Sequence, residues 1–153
     1  MPDNPSEKRE RYSSDYHQLR VNILRTASWL ATEIKDFLKP YGITQKQFNI
    51  LRILRGHKEK LPLTILEIRE RMIDKMSDAS RIIDRLQKKN FIQKKPCTID
   101  KRATRIEITE QGLAILQQLD QAAADMDAIL APLTQKEAKN ANELLNKIRS
   151  KSK

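Results

Sequence analysis

Apolar residues recur at three- and four-residue steps along almost the whole chain, and the step shortens to two in only one place. Leu19, Ile23, Ala27, Leu30, Ile34 and Leu38 mark one such stripe, the spacing of a single helical face. "RIEIT" at 105–109 alternates instead, which is the period of a strand, and "FIQKK" at 91–95 is a short segment able to pair with it. A chain patterned this way folds as helices around one small hairpin.

Local punctuation orders the pieces. A long helix from about Ser14 to Lys39 ends at Pro40 and Gly42. Thr44 opens a second with "TQKQ", burying Phe48, Leu51 and Leu54, and Thr64 opens a third with "TILE", running to about Asp74 and burying Ile65, Ile68 and Met72. Each has the capping-box form, in which the Thr hydroxyl and a Gln or Glu three residues on satisfy each other's amides. Ser77 caps a fourth helix, and the hairpin follows, its strands separated by the eight or nine residues "PCTIDKRAT". No Asn-Gly or Gly-Gly pair is present there, so this loop projects. Two more helices close the chain: Leu113, Leu116, Leu119, Ala123, Met126 and Leu130 line the first, Pro132 interrupts, and "TQKE" at Thr134–Glu137 starts the last.

This order is that of a winged helix-turn-helix. The fold class expected is mainly α with a small β-hairpin wing. Residues 1–12 read as a flexible arm, 13–40 as an N-terminal dimerisation helix, 43–109 as the winged DNA-binding domain and 110–150 as C-terminal dimerisation helices. The flanking stripes exceed what the winged core needs, and pairing with a second copy buries them.

Charge narrows the partner. Lys and Arg number 30 against 20 Asp and Glu, a formal +10. It is concentrated: residues 75–105 hold ten Lys/Arg against three acids, a net of +7, whereas 110–145 hold two against six, a net of −4. Such a basic segment suits a polyanion. No run approaches a membrane span and no signal segment is legible, so a soluble cytoplasmic protein without membrane contact is expected. One cysteine fits a reducing compartment. None of the three glycines sits in a phosphate-binding loop, and the two histidines, His17 and His57, lie apart from any acidic cluster. No cofactor, metal site or enzymatic activity is expected.

The stretch "SDASRIIDRLQKKN" (77–90) carries the readout. Ala79, Ile82, Ile83 and Leu86 share one face; Ser77, Arg81, Asp84 and Lys88 centre the other, with Ser80 and Arg85 beside them. The first turn of a recognition helix meets base edges, where Arg grips guanine O6 and N7. Ser77, Ser80 and Arg81 are the foremost candidates. Asp84 is expected to pair with Arg81, Arg85 or Lys88 and brace them. A plain solvated face is the competing reading, and the flanking turn and basic loop weigh against it. In that loop Arg102 is expected at the tip, suited to a minor groove, with Asp100 bracing an arginine. The candidate DNA contacts are therefore Thr64, Ser77, Ser80, Arg81, Arg85, Lys88, Lys101 and Arg102, supported by Asp84 and Asp100.

These residues also resemble a family. "TILEIRERM…MSDASRIIDRLQKKNFIQKK…DKRATRIEITEQG" is similar to the core of the MarR-type bacterial transcription regulators, with the D-x-R…T-x-x-G wing signature at Asp100, Arg102, Thr109 and Gly112. Asn90 stands where that family usually has Gly; Asn tolerates the left-handed conformation. The resemblance implies a homodimer on a palindromic double-stranded operator, often repressing, with release by a small phenolic ligand or by thiol oxidation. Trp29, Phe37, Tyr41 and Met126 are candidate lining residues for such an aromatic ligand, or ordinary core. The reactive N-terminal cysteine of the peroxide-sensing branch is missing. Cys97 lies instead among Lys94, Lys95 and Lys101, whose charge would favour its thiolate; an inert residue at a strand end is the plainer reading. The alternative function is a winged-helix interaction module that binds RNA or an acidic protein without reading sequence.

Overall fold

The computed structural model describes residues 12–59 and 62–150. The arm expected at the N-terminus lies almost wholly outside them. Among the described residues are seven α-helices and one three-stranded antiparallel sheet. Helix α1 (Asp15–Leu38) is capped by the Ser14 hydroxyl, which accepts from the amide of His17, and passes through a 3-10 turn at Lys39–Tyr41. Gly42 ends that turn at φ 67°, a left-handed position that suits glycine. α2 (Gln45–Gly56) and α3 (Ile65–Arg71) both begin with complete capping boxes, Thr44 with Gln47 and Thr64 with Glu67. α3 stops about three residues earlier than the apolar pattern suggested, because Met72 is extended at ψ 147°.

Helix α4 spans Ala79–Lys88, followed by strands β2 (Ile92–Pro96) and β3 (Thr104–Ile108). Ser77 does not cap α4. Asp78 does, accepting from the amide of Arg81 at 3.1 Å. The C-terminal end closes as a Schellman-type turn: the amide of Phe91 donates to Leu86 O and that of Asn90 to Gln87 O, with Asn90 at φ 60°. A two-residue strand β1 (Leu63–Thr64) joins the hairpin, pairing Leu63 with Ile106 and giving the order β1-β3-β2. Two residues carry no readable alternation, so this edge was invisible in sequence.

The core lies between α2, α3, α4 and the sheet, with Ile50, Leu51, Ile68, Ile83, Leu86, Ile106 and Leu116 fully buried. Leu116 belongs to helix α5 (Glu110–Gln121), so the winged core extends past 109 into the first turns of a helix assigned to dimerisation. Gly112 explains the junction. A Cβ there would lie 2.3 Å from the carbonyl oxygen of Phe91, so only glycine lets α5 approach the hairpin. Thr109 caps the same helix, accepting from the amide of Gly112 and donating to Asn90 O. α5 is broken at Ala122 from a short α6 (Ala123–Asp127) and a 3-10 turn. α7 (Gln135–Ser150) buries no residue fully, and α1 buries only Leu38. No described helix is long and apolar enough to cross a membrane.

Candidate nucleic-acid interface

α4 buries Ala79, Ile83 and Leu86 and turns Ser80, Arg81, Asp84, Arg85 and Lys88 to solvent. Ser77 is not with them. It is 8% exposed, and its hydroxyl donates to Asp74 Oδ2 at 2.8 Å. The outward role expected of it is corrected: Ser77 precedes the helix and locks the turn. Asp74 is the hub of that turn, also accepting from the amide of Met76 at 3.0 Å and facing Lys46 Nζ at 3.2 Å. The Ser77 hydroxyl, then Lys46 and the Met76 amide, hold the Asp74 carboxyl below the usual carboxylate range.

Asp84 also departs from expectation. It pairs with Lys94 of β2 rather than with a neighbour on its own helix. Lys94 of the hairpin takes the carboxylate in place of Arg81, Arg85 or Lys88. Asp84 therefore ties α4 to the wing, and Arg81, Arg85 and Lys88 form no ion pair with any described acid. At the far end of α4, Lys89 Nζ donates to Gly42 O and to Gln47 Oε1, fastening the helix to the turn after α1.

The wing loop is built, not loose. The amide of Cys97 donates to Ala103 O, that of Ala103 to Asp100 O, and that of Arg102 to Asp100 Oδ1 at 2.9 Å. Asp100 thus braces the backbone of Arg102 rather than a guanidinium, and Lys101 and Arg102 are exposed at the tip. Cys97 is buried, its Sγ accepting from the amide of Asp100. That amide first, then the Arg105 guanidinium and the Ile99 amide, depress its pKa. Of the three lysines expected to do so, Lys94 is engaged with Asp84 and Lys95 with Glu107, and Lys101 is not among the causes.

Thr64, a candidate contact, is committed inward. Its hydroxyl accepts from the Glu67 amide and donates to Glu67 Oε2. Arg105 Nη1 reaches the same oxygen at 3.2 Å and Pro62 O at 2.7 Å, joining β3 to the start of α3. Thr64's amide and hydroxyl, with Arg105 adding, hold the Glu67 carboxyl below its ordinary range. The sequence places Arg105 at the start of a strand, Glu67 in a capping box and Lys94 beside Cys97, but shows neither the Arg105–Glu67 pair nor the Lys94–Asp84 pair, which only the folded chain brings together.

Of the four lining candidates, Phe37, Tyr41 and Met126 gather half-buried around Leu38, Ile43 and Leu119, with the Phe37 and Tyr41 rings 5.9 Å apart. Trp29 is not among them. It lies about two turns earlier on α1 and is 44% exposed.

Residues 43–104 match the MarR family. An uncharacterised HTH-type transcriptional regulator of Bacillus cereus (strain ATCC 10987) is 31% identical over 119 residues, 76% of this chain and 77% of the relative. The solved structure of a cysteine-to-serine MarR mutant from E. coli complexed with operator DNA superposes with a TM-score of 0.74 at 25% identity, over 88% of this chain and 99% of that one. The organohalide-sensing regulator RdhR, solved in a 2,4-dichlorophenol-bound form, has the same fold: TM-score 0.80, 21% identity, 98% of this chain and 86% of that one.

Proposed function

The chain belongs to the MarR family of helix-turn-helix transcriptional regulators, and from that membership we propose that two copies grip a palindromic operator and repress transcription until a small aromatic ligand weakens their hold. One observation carries the DNA-reading surface: Asp84 is drawn off by Lys94, which leaves Arg81, Arg85 and Lys88 outward and without an ion-pair partner among the described residues. An Arg at the first turn of the recognition helix is placed for guanine, while Arg85, Lys88 and Lys101 suit phosphates and Arg102 a minor groove. Ser80 lies beside Arg81 and completes the base-reading set. Ser77 and Thr64, whose hydroxyls are spent inside the fold, drop out of it.

Two further observations support the rest. α1 and α7 leave Leu24, Leu144 and Ile148 at least half exposed, and Tyr16 and Leu19 face Leu144, Leu145 and Ile148 across an apolar groove. A second copy covers such stripes and sets the spacing of two recognition helices. Phe37, Tyr41 and Met126 gather where α1 meets the winged core, a location from which a bound aromatic molecule shifts that spacing. The test is selection of duplexes from a random pool, then release by phenolic compounds. The reading expects one palindrome to outcompete random DNA by ~10³-fold or more. Equal binding to all duplexes refutes it in favour of an interaction module.

A further inference from the structure

The turn between α3 and α4 exposes two large apolar side chains, Ile73 at 81% and Met76 at 93%. Among the described residues, comparable exposure of a large apolar side chain recurs at Tyr16 of α1 (86%), which a second copy accounts for, and at Ile99 of the wing loop (89%). Ile73 and Met76 need another reason. The turn itself is held firmly: Asp74 accepts from the Met76 amide and the Ser77 hydroxyl, and the Ile73 amide donates to Asn49 Oδ1 at 3.1 Å. Met76 is therefore presented from a fixed backbone, two residues before the Asp78 cap of the recognition helix. It shares a shallow open concavity with Arg69, Glu70, Lys75 and Ser77. An apolar tip with cations beside it, at the end of the helix that enters the major groove, faces a surface of phosphates and base edges.

That groove offers one apolar group, the 5-methyl of thymine. Methionine suits it, because an unbranched, polarisable side chain conforms to a small methyl without a shaped pocket. We propose that Met76 is a specificity-determining residue that packs on the 5-methyl group of a thymine in each half-site, next to the base read by Arg81. This rests on the operator reading above.

The experiment takes the duplex selected from the random pool and replaces thymidine by deoxyuridine, one position at a time in both half-sites. Dissociation constants are measured for the wild type and for Met76→Ala. At one position the wild type loses about fourfold per half-site, the value of one buried methyl, and Met76→Ala loses nothing there. Other positions respond alike in both proteins. No uridine-sensitive position, or one equally sensitive in both proteins, overturns the assignment. A pool that yields no preferred duplex refutes the operator reading at the earlier step and the inference with it. Because Met76 is exposed, the variant keeps the wild-type melting temperature, which a thermal scan checks alongside.

Discussion

Replacing Gly112 by alanine tests the junction on which the whole winged unit is assembled. A Cβ at Gly112 lies 2.3 Å from Phe91 O, 3.2 Å from its carbonyl carbon and 2.7 Å from Ile108 Cγ1. The two backbone contacts cannot be relieved by a side-chain rotation. Phe91 O is also the acceptor for the Thr109 amide at 3.1 Å, so moving it strains the bond that pins the hairpin to the start of α5. Overpacking of this kind costs roughly 1–3 kcal/mol, and a weakened hydrogen bond adds about 1 kcal/mol. Against this, alanine is favoured over glycine within a helix by about 1 kcal/mol. The net is a destabilisation of roughly 1–3 kcal/mol.

Gly56 supplies the control. It closes α2 with no atom within 4 Å of a built Cβ and no left-handed φ. The same substitution there leaves stability unchanged or raises it by up to about 1 kcal/mol. Urea unfolding at one fixed protein concentration reads both, since a slope near 2 kcal/mol/M turns the Gly112 effect into a midpoint lower by roughly 0.5–1.5 M. The slope itself stays constant if only stability changes. A Gly112→Ala midpoint at or above that of the wild type refutes the close approach and the account of the T-x-x-G signature built on it.

Arg81→Ala is expected to weaken binding to the selected duplex by about 1–3 kcal/mol and to relax base preference, whereas Lys101→Ala weakens all duplexes alike; competition titrations separate them. Glu67→Gln removes a carboxylate whose folded pKa is depressed. Its contribution is full above the unfolded pKa, about 4.3, and is lost as pH falls through the lower folded value. Urea midpoints of the variant therefore fall less steeply between pH 6 and 3 than those of the wild type, and parallel curves count against the Thr64–Glu67–Arg105 tie. Ile148→Glu, on the exposed stripe of α7, yields a monomer by sedimentation at micromolar concentration with the winged unit still folded.

The helices were legible because their signals are local. Threonine-led boxes place the starts of α2 and α3 within a residue, and the three-four spacing locates α1 and α4. Asn90 reads as a left-handed terminator for the same reason. What was misread is non-local. Ser77 and Asp78 are both good caps, and the choice fell to Asp78 because Asp74, three residues before Ser77, holds its hydroxyl. Asp84 had three basic neighbours on its helix, yet a lysine ten positions on captured it across a chain reversal. Trp29 shares α1 with Phe37, but the packing beside Leu38 begins too late in the helix to include it.

These cross-links bear on how a signal could reach the operator. Asp84–Lys94 fixes the recognition helix to β2, and Arg105–Glu67 fixes β3 to α3. Together with the buried core they leave the wing and α4 little freedom to move against each other. The winged unit is joined to the longer helices by the apolar cluster of Leu38, Ile43 and Leu119, which packs against Phe48 and Phe91, and by polar ties at its edges. Lys89 holds Gly42 at the end of α1's turn, and Arg55 makes a two-pronged ion pair with Asp120 on α5, at 2.5 and 3.2 Å. The second tie also lowers the Asp120 pKa. A molecule lodged beside Phe37, Tyr41 and Met126 would adjoin Tyr41 and Leu119, the sequence neighbours of Gly42 and Asp120. The proposed ligand would then act by shifting the winged unit as a body rather than by bending the recognition helix.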